Sequence, residues 1–116
     1  FFRWAVTQKQ DDGLIGMLFL EPVGEDNVGQ LFFALAKPCR GKGLMTEAVR
    51  EVVSFAFKKA GFRRIQAMHD AAESSPGGVL RRAGLMYEGL ARQLRNVDGK
   101  AIDCHLYGIT QRDFFA

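Results

Sequence analysis

The clearest pattern in the sequence is an apolar stripe between residues 45 and 60. Apolar residues recur there at the three- and four-residue intervals of an amphipathic helix: Met45, Ala48, Val49, Val52, Val53, Ala56 and Ala60. The positions beside the stripe include Arg50, Glu51, Ser54 and Lys58, which can face water. Gly61 suits the residue after the helix, so the pattern predicts one long helix that ends there.

Runs of β-forming residues before this helix predict three strands, at residues 1–7, 14–20 and 30–36, with polar turns between them. Glu21-Pro22 is expected to close the second strand. The third strand is almost wholly apolar and is therefore expected to be covered on both of its faces. The pattern predicts an antiparallel meander that leads into the helix.

Residues 64–69 predict a fourth strand directly after the helix. A strand, a crossover helix and another strand form a right-handed βαβ unit, so the third and fourth strands should be parallel. In open α/β sheets ligands bind at the carboxyl ends of such strands. The loop before the long helix is therefore the expected binding region.

A short second helix is predicted after this strand. Ser75 suits the N-cap, Pro76 suits the first helical position, and Gly84 suits the end. Gly77 and Gly78 in its first turn weaken the helix pattern.

A long hairpin completes the chain. Residues 85–97 and 100–110 carry strand patterns, and Asp98-Gly99 between them is a strong signal for a two-residue turn. The predicted order is β-β-β-α-β-α-β-β, an α/β fold with a mixed sheet. At 116 residues the chain is expected to form a single domain, residues 1–116.

Composition narrows the functions. The net charge of +3 suits an anionic cofactor as well as nucleic acid. No metal site is expected, because Cys39, Cys104, His69 and His105 show no ligand spacing. No apolar run is long enough to cross a bilayer and no signal peptide opens the chain, so a cytoplasmic protein with reduced thiols is expected.

The loop before the long helix carries the chemistry of a phosphate site. The first N–H groups of a helix lack intrahelical partners and favour an anion. Gly41 and Gly43 allow close approach of the main chain, and Arg40 and Lys42 add positive charge. A basic turn before an ordinary helix would show the same spacing, so both interpretations stay open on spacing alone.

The stretch Arg40-Gly41-Lys42-Gly43-Leu44-Met45 resembles the acetyl-CoA loop of the GNAT acetyltransferase superfamily. Thr46-Glu47-Ala48 resembles the branch that includes the RimJ/RimL-type N-terminal acetyltransferases. The segment at residues 79–85 and Glu88-Gly89 also resemble the family. Met45 departs from the pattern, which has Gly or Ala there, and its longer side chain could narrow the cofactor groove or begin the apolar stripe.

The resemblance implies a function, an acetyl transfer from acetyl-CoA to a primary amine, with a protein N-terminus as one acceptor. It implies a set of cofactor-binding residues on the third strand and the loop: Phe33, Leu35, Ala36, Arg40, Gly41, Lys42, Gly43, Leu44 and Met45. The family's Asn-x-x-Ser pattern falls on Glu73 and Pro76, and a slip of one residue would bring a serine hydroxyl into the Ser position. By position, Ser75 is the candidate acid and Glu73 a candidate base. A helix N-cap explains Ser75 equally well, and a solvated loop carboxylate is the simpler interpretation of Glu73.

Other polar residues have simpler interpretations. For Glu88 a salt bridge at the end of a strand is favoured, for Tyr107 a hydrogen-bonded core position, and for His69 a satisfied or exposed histidine. Cys39 lies beside the loop and has no sign of a lowered pKa. The arginines form a solvated face or attract acidic ligands: Arg81, Arg82, Arg92 and Arg95.

Family members carry a strand and two helices before the point where this sequence begins, so the fold is expected to be N-terminally incomplete. An exposed sheet edge at that place is expected to drive homodimerisation. The same departures leave a second function open, an inactive acyl-CoA-binding module with an interaction or regulatory role. Nucleic-acid binding is not favoured, because stacking aromatics at RNA-binding spacing are missing.

Overall fold

The computed structural model describes residues 2–7, 14–36, 43–73 and 75–116. Within them six strands form one sheet, in the order β1-β2-β3-β4-β6-β5. The strands are β1 (Phe2–Thr7), β2 (Leu14–Val23), β3 (Val28–Leu35), β4 (Arg64–Asp70), β5 (Met86–Val97) and β6 (Lys100–Thr110). The helices are α1 (Leu44–Lys58), α2 (Ser75–Arg82) and α3 (Gln111–Phe115). The predicted mixed α/β fold and its element order are confirmed, with α3 added at the end.

The second strand is longer than the sequence predicted. It continues through Pro22 to Val23, so the expectation that Glu21-Pro22 closes it is wrong. Among the described residues, its pairing with β1 runs as far as Leu20, and its pairing with β3 continues through Pro22 and Val23. Proline lacks only the backbone donor, so it is compatible with a strand position where that donor is not required.

The long helix packs its apolar stripe on one face of the sheet. Its buried side chains include Met45, Val49, Val52, Val53 and Ala56, all of them positions of the predicted stripe. They form one core with buried residues of the strands, among them Leu18, Leu20, Leu31, Ile65 and Tyr107. The predicted end is also close, since the C-cap is Lys59 and Gly61 takes a positive φ of 76°.

The third and fourth strands are parallel, as predicted, but they pair over only three positions, from Val28 opposite Arg64 to Gln30 opposite Gln66. Beyond Gln30, β3 continues to Leu35 paired with β2 alone. The expectation that β3 is covered on both faces is wrong, because Phe32 is half-buried and Ala34 is exposed. The sheet therefore opens between β3 and β4 toward their carboxyl ends.

The short helix α3 was not predicted. Thr110 caps it, accepting a hydrogen bond from the backbone of Asp113 while the Asp113 carboxylate accepts one from the backbone of Thr110. This reciprocal pair is a capping box, which Thr-x-x-Asp in the sequence could have indicated. Phe114 stacks on Phe57 of α1 at a ring-centroid distance of 5.2 Å, so α3 is anchored on the core.

None of the helices in the described ranges is both long and apolar enough to span a membrane.

Candidate functional site

A cavity of about 400 Å³ lies where β3 and β4 separate. Its lining comes from both strands, the loop after β4, the first turn of α2 and the β5–β6 hairpin: Leu31, Phe32, Phe33, Met68, His69, Asp70, Glu73, Pro76, Arg95, Val97, Ile102 and Cys104. Consecutive side chains of a strand point to opposite faces of the sheet. Because Phe32 and Phe33 both line the cavity, as do Met68 and His69, the cavity reaches both faces of the sheet.

The amino-terminal end of α1 begins at the N-cap Gly43, which has a left-handed φ of 75°. Among the described residues no side chain accepts a hydrogen bond there. The first bond within the helix runs from the N–H of Glu47 to the carbonyl of Gly43, at 3.1 Å. The preceding N–H groups have no partner within the helix and can donate to an anion. A Cβ built on Gly43 would meet no atom of the described residues within 4 Å.

Thr46 adds an unusual polar atom to this end of α1. Its side chain is only 5% exposed, and its Oγ1 has no hydrogen-bond partner among the described residues. A buried hydroxyl without a partner is uncommon in folded proteins, so this atom is a candidate for contact with a ligand. The sequence placed Thr46 in a family motif but assigned it no contact.

Met45 begins the apolar stripe and does not narrow a groove. Its side chain is 2% exposed and belongs to the core, so only its main chain is available to a ligand. This decides between the two interpretations that the sequence left open.

The other residues proposed from the sequence separate into three groups. Phe33 and Glu73 line the cavity together, and Ala36 is exposed just after β3. Leu35 and Ser75 are described only through their backbone, in β3 and at the start of α2. The predicted loop residues Arg40, Gly41 and Lys42, together with Cys39, lie outside the described residues.

His69 is a buried histidine with both ring nitrogens in contact. Its Nδ1 lies 2.9 Å from the carbonyl oxygen of Asp70. A carbonyl oxygen can only accept, so Nδ1 carries the proton and donates it. The Nε2 is then an acceptor, and it faces the hydroxyl of Tyr107 at 3.4 Å. His69 is therefore a histidine with both ring nitrogens in hydrogen-bond contact, as favoured from the sequence, and it also lines the cavity.

Tyr107 is the hydrogen-bonded core tyrosine that the sequence favoured, with 3% of its surface exposed. The ring of Tyr107 stacks on the ring of His69, at a ring-centroid distance of 5.5 Å. Above it lies α2, whose Gly77 is buried. This packing fixes α2 against the strand that carries His69.

Glu88 forms a salt bridge with Arg64, and both carboxylate oxygens accept from the guanidinium, at 2.6 and 2.9 Å. The hydrogen bonds from Arg64 lower the pKa of the Glu88 carboxyl below its ordinary value. They also raise the pKa of Arg64. Neither residue lines the cavity, so the salt bridge favoured from the sequence is structural.

The arginines do not form one face. Arg81 lies over the rings of Tyr87 and Tyr107, each 5.7 Å from the ring centroid. The carbonyl of Arg82 accepts two hydrogen bonds from Arg50. Arg95 alone of the four lines the cavity. Its position depends on the irregular pairing of the hairpin, which the sequence pattern did not reveal.

Known proteins with similar sequences are acetyltransferases. A family model described as "Acetyltransferase (GNAT) domain" matches residues 1–86. The protein named "Probable N-acetyltransferase YjcK" of Bacillus subtilis is 32% identical over 114 residues, which is 97% of this chain and 63% of that protein. The chain thus spans less than two thirds of the length of that relative.

Solved structures of acetyltransferases share the fold. A GNAT-family acetyltransferase from Bacillus anthracis superposes with a TM-score of 0.87 at 17% identity, covering 95% of this chain and 66% of that one. The ribosomal-protein-S5-alanine acetyltransferase of Vibrio fischeri gives a TM-score of 0.86 at 24% identity, covering 97% and 62%.

Proposed function

The chain belongs to the GNAT acetyltransferase family, and from this premise we propose that it takes part in acetyl transfer from acetyl-CoA to a primary amine. The observation that supports the proposal best is the cavity between β3 and β4, which reaches both faces of the sheet. Acetyl transfer requires the amine and the thioester carbon to meet at about 3–3.5 Å. A passage between two strands allows two ligands that enter from opposite faces to meet in this way.

The residues at the start of α1 fit the pyrophosphate of such a cofactor. Gly43 leaves open space, the first N–H groups of the helix lack intrahelical partners, and the Thr46 hydroxyl has no partner among the described residues. Arg40 and Lys42, which lie outside the described residues, would add positive charge. When bound, acetyl-CoA supplies an activated acetyl thioester, and the chain needs no covalent intermediate of its own.

The main chain of β3 supports the same assignment. From Leu31 onward β3 pairs with β2 but not with β4, so on the side facing the cavity its N–H and carbonyl groups have no strand partner among the described residues. Buried backbone groups require partners. We propose that the backbone from Phe33 to Ala36 bonds the amide-containing arm of the cofactor, while the side chain of Phe33 excludes water.

Proton transfer is assigned to the loop after β4. Glu73 lines the cavity and its carboxylate can accept the proton of the ammonium, directly or through water. Ser75, at the first turn of α2, is proposed as the donor to the departing thiolate. We propose both roles from the positions of these two residues beside the cavity.

We propose that the acceptor is a primary amine such as a protein N-terminus, as in the RimJ/RimL branch. It rests on the motif Thr46-Glu47-Ala48. The fold shared with a ribosomal-protein acetyltransferase is consistent with it, although the 24% identity supports the fold alone.

A homodimer paired through β1 also remains a proposal, as does a cytoplasmic location. Among the described residues β1 pairs with β2 alone, and an unpaired strand side is a template for pairing with a second copy. A stable monomer in sedimentation at micromolar concentration would argue against this dimer.

Calorimetric titration with acetyl-CoA, followed by measurement of CoA release in the presence of mixed primary amines, tests the proposed function. Binding with turnover is the expected result. Binding without turnover would favour the alternative of an inactive acyl-CoA-binding module. Absence of acetyl-CoA binding would refute both.

A further inference from the structure

The cavity carries opposite charges on opposite walls. Asp70, half-buried, ends β4, and Glu73 follows it in the loop. Arg95 lines the cavity from β5, on the far side of β6. Cys104 lies on β6 between these walls, paired with Asp70 on one side and with Ala91 of β5 on the other. The cavity thus presents carboxylates on one side and a guanidinium on the other.

Both walls act on the thiol of Cys104. Burial raises the pKa of this thiol, nearby Arg95 opposes the rise, and Asp70 and Asp103 add to it. Cys104 is fully buried, lies on the strand between the two walls and lines the cavity, so its side chain forms the floor between them.

A β-bulge places Arg95 in this position. Ala91 pairs with Cys104, yet the next pair is Arg95 with Ile102, so β5 has two more residues than β6 over this stretch. Gln93 within the bulge adopts a positive φ of 52°, and its N–H donates to the Asp103 carboxylate at 2.8 Å. In a regular ladder Gln93 would face Ile102 and Arg95 would lie at the hairpin turn. Bulges beside binding sites commonly redirect a side chain in this way.

Arg95 has no protein partner in the described part of the chain. Arg64 pairs with Glu88, and Arg50 donates to a carbonyl, but no hydrogen bond or ion pair of Arg95 is observed. A guanidinium forms its strongest contacts with a carboxylate or phosphate, through two parallel hydrogen bonds. An unpaired guanidinium on a cavity wall is thus available to an anionic group of a ligand.

We infer that Arg95 is a specificity-determining residue that selects amine acceptors carrying a carboxylate close to the amine. The inference rests on the proposed acetyl transfer. Asp70 and Glu73 face the ammonium of the acceptor, and Arg95 binds its carboxylate. The carboxylate belongs either to a free amino acid or to an acidic side chain at the start of a peptide. A polyamine has no group for Arg95 and brings a second cation toward it.

The test compares matched acceptors that differ only in the carboxylate. Glycine and glycinamide form one pair, and the amidated dipeptides Glu-Ala and Gln-Ala form the other. The variants are Arg95→Gln, the charge reversal Arg95→Glu, and Arg92→Gln as the control. Arg92 is an exposed arginine of the same bulge that does not line the cavity.

The unsubstituted chain should favour the carboxylate member of one pair by roughly tenfold to a hundredfold in KM or Kd, the ratio expected for a charge-assisted hydrogen bond. Arg95→Gln should abolish that preference, Arg92→Gln should keep it, and Arg95→Glu should reverse it in favour of the amide member of that pair. A preference for glycine over glycinamide identifies an amino acid as the acceptor. A preference for the Glu-Ala amide over the Gln-Ala amide identifies a peptide. Equal affinity within both pairs would overturn the inference, as would a preference that survives Arg95→Gln.

Failure of the proposed function is distinguishable from failure of this inference. Acceptor binding is measured by calorimetry with and without CoA, apart from turnover. If the chain binds no acetyl-CoA but still binds the carboxylate acceptor through Arg95, the proposed function fails and the inference stands. If it binds acetyl-CoA without any preference between matched acceptors, the inference fails alone.

Discussion

Gly77 of α2 lies directly over the phenol of Tyr107. A Cβ placed on Gly77 would come within 2.5 Å of the Tyr107 hydroxyl oxygen and 3.2 Å of His69 Nε2. Only a residue without a side chain allows α2 to sit this close to the strands. The glycine that weakens the helix pattern in the sequence is therefore required by packing.

Gly77→Ala should destabilise the protein by about 1–3 kcal/mol, the usual cost of overpacking a buried site. Gly78→Ala is the matched control, because its Cβ would meet only the end of the flexible Arg82 side chain, at 3.1 Å. Alanine there should be neutral or stabilise the helix by up to about 1 kcal/mol. Urea unfolding measures both, and equal free energies of unfolding for the two variants would contradict the proposed packing.

Gly43→Val should remove acetyl-CoA binding. Gly61→Val is the control for backbone strain, because the two glycines have φ angles of 75° and 76° and open space around a built Cβ. A side chain in this left-handed conformation costs roughly 1–2 kcal/mol, so both variants should lose similar stability. Calorimetric titration should show that only Gly43→Val loses affinity. Retained affinity in that variant would place the phosphate site elsewhere.

Thr46→Val should change stability and binding in opposite directions. Removal of the unpartnered hydroxyl relieves a desolvation penalty of about 1–3 kcal/mol, so the ligand-free variant should be more stable. Its affinity for acetyl-CoA should fall, because the hydroxyl is proposed to bond the pyrophosphate. Thr46→Ser keeps the hydroxyl and should keep the affinity. Thermal unfolding with and without acetyl-CoA measures both effects. If acetyl-CoA raises the Tm of Thr46→Val as much as that of the unsubstituted chain, Thr46 is not a ligand contact.

Glu88→Gln should reduce stability only above the pH at which Glu88 ionises. The pKa of Glu88 is lowered in the folded chain, chiefly by its hydrogen bonds to Arg64. The ion pair therefore stabilises the protein above the unfolded carboxyl pKa, and this contribution is lost as pH falls through the lowered value. Because the pair is partly exposed, the difference at neutral pH should be at most about 1 kcal/mol.

Urea unfolding between pH 2 and 7 measures this difference. The curves of the unsubstituted chain and Glu88→Gln should converge at the acid end. Glu25→Gln, at an exposed position in the turn between β2 and β3, is the control and should leave the pH dependence unchanged. A constant difference between the chain and Glu88→Gln across this range would show that ionisation of Glu88 is not the cause.

The element order was predictable because periodicity and turn residues are local signals. The stripe from Met45 to Ala60 and the Asp98-Gly99 turn each specify their own conformation, so α1 and the hairpin follow directly. The early divergence of β3 and β4 and the bulge at Gln93 depend on pairing between distant residues. Neither leaves a pattern in a single segment, so the cavity and the position of Arg95 could not be predicted.

The sequence motifs identified residues of the site but not their burial or their contacts. Gly43 and Thr46 stand in a recognisable stretch, yet the burial of the Thr46 hydroxyl is a property of the packed helix. The contact of Gly77 with Tyr107 joins residues far apart in sequence, and no local pattern indicates it. The extended β2 shows the same limit, because proline usually predicts the end of a strand, whereas Pro22 pairs with Gly29 of β3.

The short pairing between β3 and β4 divides the sheet into two three-stranded arms. Among the described residues, backbone hydrogen bonds join the arms along the ladder from Val28 to Gln30 and from Arg63 to Asn27, and side-chain packing under α1 completes the attachment. Fewer backbone hydrogen bonds hold this line than hold the ladders within each arm. Amides that flank it should therefore exchange with solvent faster than amides in the middle of either arm.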